Sequence, residues 1–140
     1  MKTLYTAEAL ATGEGRDGHG RSSDGRLDLD LAIPKEMGGT GNGTNPEQLF
    51  AVGYAACFHS ALRLVGRQDK ADVSDSAVGA RVSIGQIDNG GFGLAVELEV
   101  TLPNMDRDAA QALTEKAHQV CPYSNATRGN IDVKLVVTDD

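Results

Sequence analysis

The sequence predicts an α+β fold, with antiparallel strands accompanying one long apolar helix. Three observations carry that prediction. Leu27, Leu29, Leu31 and Ile33 alternate with polar residues, the period of a half-buried strand. The stretch from Leu49 to Leu64 is apolar almost all the way round a helix and follows the start signal Asn45-Pro46-Glu47-Gln48. Two long strand-like stretches flank Asn89-Gly90-Gly91, a hairpin signal.

Taken in order, Lys2 to Ala11 is β-compatible but weakly patterned, and Gly13-Glu14-Gly15-Arg16-Asp17-Gly18-His19-Gly20 is a glycine-rich turn. Arg26 to Ile33 is the alternating strand. Pro34 opens an irregular stretch that ends in Gly38-Gly39-Thr40-Gly41-Asn42-Gly43-Thr44. Asn45 then caps a helix with Pro46 in the first helical position and Gln48 completing a box-like pattern. That helix is expected to run to about Val65 or Gly66. Apolar all round, it needs cover on more than one side, and a second subunit is expected to provide part of it. Val78 to Asp88 and Phe92 to Leu102 form the hairpin. Asp106 starts a second helix with Ala109, Ala110, Leu113, Ala117 and Val120 inward. Cys121-Pro122 interrupts it, a short helical turn follows to Thr127, and Ile131 to Val137 adds a last strand.

The composition narrows the function. At 140 residues the chain suits a single domain, residues 1–140. A net charge of −7 argues against a nucleic-acid surface, which needs clustered Lys and Arg. No apolar run approaches the roughly 20 residues of a membrane span, so no membrane partner is expected. Met1-Lys2-Thr3-Leu4-Tyr5-Thr6 leads into polar residues rather than the apolar core of a signal peptide. The expectation is a cytoplasmic protein. In a reducing compartment, a cysteine pair is more often catalytic or metal-binding than structural.

There are two cysteines, Cys57 in the apolar helix and Cys121 at the helix break. A cysteine does chemistry as its thiolate, which a nearby arginine favours, and a carboxylate holds such an arginine as a fork. Arg16 in the glycine turn and Glu47 at the helix start are the candidates for these roles. A zinc site competes, since His118 and Cys121 have i, i+3 spacing and Cys57 and His59 offer two more ligands. Residues 57 and 59, however, point about 200° apart on a helix. The glycines from 38 to 43 lack the Gly-Lys-Ser/Thr of a phosphate loop.

Three segments carry a resemblance to a known family. They are Leu4-Tyr5-Thr6-Ala7 with Gly15-Arg16-Asp17-Gly18, then Asn45-Pro46-Glu47-Gln48-Leu49-Phe50-Ala51 through Gly53-Tyr54-Ala55-Ala56-Cys57-Phe58, and Cys121-Pro122-Tyr123-Ser124-Asn125-Ala126-Thr127-Arg128-Gly129-Asn130. Together they resemble the organic hydroperoxide resistance family of the wider Ohr/OsmC superfamily, essentially end to end. The Cys-Pro-Tyr-Ser form favours that family over its osmotically induced relatives.

The resemblance implies antiparallel sheets wrapped around a long central apolar helix in an intertwined homodimer, with the site at the subunit interface. It implies a thiol peroxidase that reduces organic hydroperoxides to alcohols. Cys57 is then the peroxidatic thiol, Cys121 the resolving thiol, Arg16 the stabilising cation and Glu47 its holder. No bound metal, flavin or haem is implied. The reductant is an external dithiol, dihydrolipoamide or a lipoylated protein. Apolar neighbours of Cys57 would favour an alkyl or fatty-acyl hydroperoxide over hydrogen peroxide.

Glu47 and Cys57 are ten residues apart, about 15 Å along a helix. An arginine touching both on one helix is overstretched, so Arg16 and Glu47 are expected to serve the Cys57 of a partner subunit. The rival reading is a non-enzymatic binder of an apolar ligand, or a redox sensor, using the same cleft.

Overall fold

The computed structural model describes residues 1–139. The chain divides into two compact units, Met1–Leu49 and a second from Phe50 onward. The first unit is a three-stranded antiparallel sheet in the order β1-β2-β3, with β1 Ala9–Thr12, β2 His19–Ser22 and β3 Asp28–Asp30. Residues 1–8 lie outside the strands, and Leu4 and Tyr5 are exposed, so the first strand is shorter than the Lys2 to Ala11 reading.

The strand expected over Arg26 to Ile33 is also shorter. Beyond Asp30 the backbone changes partner: Thr44 N–H donates to Asp30 O at 3.1 Å and Ala32 N–H to Thr44 O at 2.9 Å, with a parallel bridge between Leu31 and Thr44. Each backbone group needs a partner, and the returning Thr44 supplies one that ends the ladder.

Helix α1 spans Pro46–Gln68 and bridges the boundary between the units. Asn45 caps it as the sequence predicts, Gln48 N–H donating to Asn45 Oδ1 at 2.8 Å and Leu49 N–H to Asn45 O at 3.1 Å, while the Gln48 side chain accepts from Thr44 Oγ1 at 2.7 Å in place of the expected box. It runs slightly past Gly66. By length and composition α1 is long and apolar enough to cross a membrane, which corrects the reading that no stretch approaches that length. Its Tyr54, Phe58, Ala61, Leu62 and Val65 are nonetheless buried in the protein core.

In the second unit β4 (Ala77–Gln86) and β5 (Phe92–Thr101) pair antiparallel over their whole length, from Ala77 opposite Thr101 to Gln86 opposite Phe92. Helix α2 (Arg107–Val120), helix α3 (Pro122–Thr127) and β6 (Val133–Thr138) follow. Strand β6 lies parallel to β5, Val96 opposite Val133, so this sheet is mixed where antiparallel pairing was expected. The α2–α3 crossover explains it, because a helical connection carries the chain from the end of β5 back toward the end where β5 began.

The core is built by period. Val96, Leu98, Val100 and Leu102 alternate inward at and just past β5, and Ala110, Leu113 and Ala117 line one face of α2. Ala109 and Val120, read as inward, are exposed. The buried face turns toward Thr114 instead, whose hydroxyl donates to Ala110 O at 2.8 Å and is thereby accommodated in the core. Asp106 caps α2 by accepting from Ala109 N–H at 2.9 Å. On α1, Val52, Ala56 and Ser60 form an exposed stripe.

Leu98 is fully buried at the centre of this sheet. Leu98→Ala is expected to destabilise the protein by about 2–5 kcal/mol, measured by urea unfolding; a loss below about 1 kcal/mol would place the core elsewhere.

Candidate active site

The two cysteines meet in the second unit. Cys121 is fully buried at the junction of α2 and α3, where its N–H donates to Ala117 O and its carbonyl accepts from Asn125 N–H, both at 2.9 Å. It takes extended backbone angles (φ −60°, ψ 124°) that end one helix and start the next. Pro122 enforces the break, since it favours extended backbone before it and fits the first helical position after it. Cys57 is half-buried on α1 and packs against the same core. Both thiols are free.

Burial raises the pKa of the Cys57 thiol, the Tyr123 backbone N–H hydrogen-bonds it and opposes the rise, and the neighbouring Cys121 thiol raises it further. On balance the groups acting on Cys57 hold it above its ordinary value. A thiol placed this way is close to its partner but is not made anionic by it.

The Tyr123 side chain lies against α1 at Gly53, which has no side chain of its own. A Cβ there would lie 2.7 Å from Tyr123 Oη and 3.2 Å from its Cζ. The Tyr123 ring packs with Phe50 and Tyr54, with centroids 5.8 and 5.5 Å away. Beside it opens a groove of about 600 Å³ whose walls include Phe50, Phe92, Leu94, Pro122, Tyr123 and Ile131. Its lining is mostly apolar, as a site for an alkyl chain requires.

In the first unit Arg16 and Glu47 form a two-pronged pair, Nη1 to Oε2 at 3.0 Å and Nη2 to Oε1 at 2.7 Å. The hydrogen bond from Arg16 lowers the Glu47 pKa against a smaller opposing effect of burial, and the same bond raises that of Arg16. Glu47 therefore contributes stability above the unfolded carboxylate pKa, and the contribution is lost as pH falls through the depressed folded value. The Arg16 side chain is 34% exposed and Glu47 14%, so solvent keeps that contribution small.

The Arg16 turn is held by its own backbone. Gly18 N–H donates to Gly15 O at 3.0 Å, and Asp17 Oδ1 accepts from Ile33 N–H at 2.9 Å. A Cβ on Gly18 would lie 2.1 Å from Thr12 O, so this position requires glycine. Next to it His19 contacts two carboxylates, Asp30 through Nδ1 at 2.9 Å and Asp28 through Nε2. These bonds, Asp30's first, raise the His19 pKa. The sequence reading missed this cluster, although Asp28 and Asp30 are the outward residues of the alternating strand.

The other histidines do not converge with the cysteines. His59 Nε2 bonds Ser76 Oγ at 2.9 Å and His118 Nδ1 bonds Ser124 Oγ at 2.7 Å. Among the described residues no group of three or more His, Cys, Asp or Glu is arranged to hold a metal ion. Both pKa values are lowered, by burial first and then by Arg63 and Arg128 respectively.

A mixed sheet backed by a long core helix, with two thiols meeting where α1 passes a broken helix, defines a family. The model of the OsmC-like proteins matches residues 39–136, and the chain belongs to that family. Within it the chain groups with the organic hydroperoxide resistance proteins. It is 57% identical over 138 residues to the organic hydroperoxide resistance protein of Xanthomonas axonopodis pv. citri, covering 97% of this chain and 96% of that one. The crystal structure of an organic hydroperoxide resistance protein from Elizabethkingia anophelis, with thiocyanate bound, superposes with a TM-score of 0.95 at 56% identity over 100% of both chains. A similar protein from Vibrio cholerae, with captopril bound in one of its active sites, has a TM-score of 0.92 at 49% identity, covering 98% of this chain and 94% of that one.

Gly53→Ala is expected to push Tyr123 off α1, remove its N–H from Cys57 and shift the Cys57 pKa upward. The pH dependence of Cys57 alkylation in a Cys121→Ser background measures this. A profile unchanged by the substitution would show that the Tyr123 contact has no electrostatic consequence.

Proposed function

We propose that the protein is a thiol peroxidase that reduces organic hydroperoxides. The observation that carries this reading is the contact between two free thiols, Cys57 and Cys121, beside an apolar groove. The names of its relatives point the same way. The Cys57 thiolate attacks the distal oxygen of R–OOH. The O–O bond breaks, the alcohol leaves as alkoxide and takes up a proton, and Cys57 becomes a sulfenic acid. Cys121 then attacks the Cys57 sulfur, and the sulfenic oxygen leaves as water with the thiol's proton. A lipoyl dithiol reopens the resulting disulfide by exchange and is itself oxidised.

The thiolate needs a cation, because burial and Cys121 both oppose its charge. Arg16 supplies it in this reading, with its guanidinium plane fixed by Glu47. Ten residues of α1 separate Glu47 from Cys57, so the pair acts on the Cys57 of a partner subunit in a homodimer. The exposed stripe of Val52, Ala56 and Ser60 on α1 is a natural place for that subunit to pack. The chain then works as one domain per subunit, in a reducing cytoplasm that supplies the dithiol.

Steady-state consumption of an alkyl hydroperoxide and of hydrogen peroxide, with dihydrolipoamide as reductant, tests the reading. Turnover is expected to prefer the alkyl substrate, to vanish in Cys57→Ser, and in Cys121→Ser to stop after about one equivalent as Cys57 over-oxidises. Absence of turnover with either oxidant would leave an apolar-ligand binder as the better account.

Mixing Cys57→Ser with Arg16→Ala subunits tests the sharing. If Arg16 acts across the dimer, each mixed dimer regains one complete site and activity returns on mixing. Mixtures as inactive as their parents would place Arg16 and Cys57 of one site on the same subunit.

A further inference from the structure

A buried hydroxyl relay runs alongside the thiol pair. Thr127 Oγ1 donates to Ser124 O at 3.2 Å. The same Oγ1 hydrogen-bonds Tyr54 Oη at 3.1 Å. Tyr54 Oη in turn hydrogen-bonds Ser124 Oγ at 2.9 Å, and Ser124 Oγ hydrogen-bonds His118 Nδ1 at 2.7 Å. Tyr54 and Ser124 are fully buried and Thr127 nearly so. No buried side-chain polar atom among the described residues is left without a partner.

The relay follows the spacing of the cysteines. His118 lies three residues before Cys121 and Ser124 three residues after it, so their bond spans the α2–α3 break at which Cys121 sits. Arg128 Nη2 reinforces the bracket by donating to His118 O at 2.9 Å. Tyr54 lies three residues before Cys57 on α1 and pins the bracket to the helix that carries Cys57. The backbone at the break follows no regular helix, so side-chain bonds add to the two backbone bonds that Cys121 keeps.

We infer that Tyr54, Ser124, Thr127 and His118 form a clamp that positions Cys121 for its attack on the Cys57 sulfur. The inference rests on the Cys57–Cys121 disulfide of the reading above and adds the residues that set how fast it closes. None of them carries a reacting sulfur, and they are positioning residues. Removing the Tyr54 hydroxyl takes one hydrogen-bond partner from each of the Ser124 and Thr127 hydroxyls in a dry site, which frees the break to sample other geometries.

A peroxide-free assay reads this directly. A nitrobenzoate disulfide reacts with the Cys57 thiolate, forming a mixed disulfide and releasing one coloured thiolate. Cys121, its proton lost to solvent, then attacks the Cys57 sulfur, closing the Cys57–Cys121 disulfide and releasing the second. The first phase reports Cys57 reactivity and the second reports the placement of Cys121.

Tyr54→Phe and Ser124→Ala are each expected to slow the second phase about tenfold, the effect of one buried hydrogen bond, and to leave the first within about twofold. Thr127→Val should act likewise and Thr127→Ser should restore the rate. Leu113→Ala, a core truncation away from the relay, controls for general loosening and should spare both phases. A second phase that is absent in wild type, within about twofold of wild type in the variants, or slowed equally by Leu113→Ala would overturn the inference. So would equal slowing of both phases. If Tyr54→Phe does not fold, Ser124→Ala and Thr127→Val decide the matter. A protein with no hydroperoxide turnover whose second phase still depends on Tyr54 would sink the peroxidase reading and leave the clamp standing.

Discussion

A reactive thiol needs its charged form, and burial opposes charge; the architecture around Cys57 follows from that conflict. An exposed thiol would ionise more easily but would give up the apolar surroundings that an alkyl substrate needs. A buried one gains those surroundings and is pushed toward the neutral form. The local response is small: one backbone N–H from Tyr123, whose ring lies against α1 at Gly53. In the function proposed above, a cation fixed by a carboxylate is the larger response, and Arg16 and Glu47 form such a pair.

The helices divide the remaining work. One face of α1 joins the core through Tyr54, Phe58, Leu62 and Val65, while Val52 and Ala56 face outward. Cys57 sits between these faces, half-buried. Cys121 lies where Pro122 breaks a helix, which presents its side chain to α1 without the constraint of a continuous helical backbone. The break costs regular hydrogen bonding, and the buried hydroxyls of Ser124, Thr127 and Tyr54 offset that loss with side-chain bonds. The apolar groove beside Tyr123 is bounded by the same short helix, so the helix that carries the second thiol also shapes the surface next to the first.

Much of this was legible because it is local. Asn45 and Gln48 announce the start of α1, Asn89-Gly90-Gly91 announces the hairpin, and Cys121-Pro122 announces the helix break. Each is a few residues whose conformational preference survives without the rest of the protein. The thiols, Arg16 and Glu47 stood out through their chemistry and through long motifs that resemble a known family. What was illegible depends on distant partners. The parallel placement of β6 follows from the length of a crossover, and the early end of β3 follows from Thr44 returning to Asp30. The bond from Ser124 to Tyr54 joins residues 70 apart, and nothing in either local sequence marks it. Val120 looked inward by spacing alone, whereas the position of the sheet decided that Thr114 is buried in its place.

The central claim is that Cys57 is ionised by a cation its own burial would otherwise defeat. The most direct measurement is the pKa of Cys57, followed by thiolate absorbance in the intact protein carrying Cys121→Ser, with Arg16 present and with Arg16→Met. The account predicts a Cys57 pKa below the ordinary thiol value with Arg16 in place and above it without. A value that stays above the ordinary one in both proteins would contradict it.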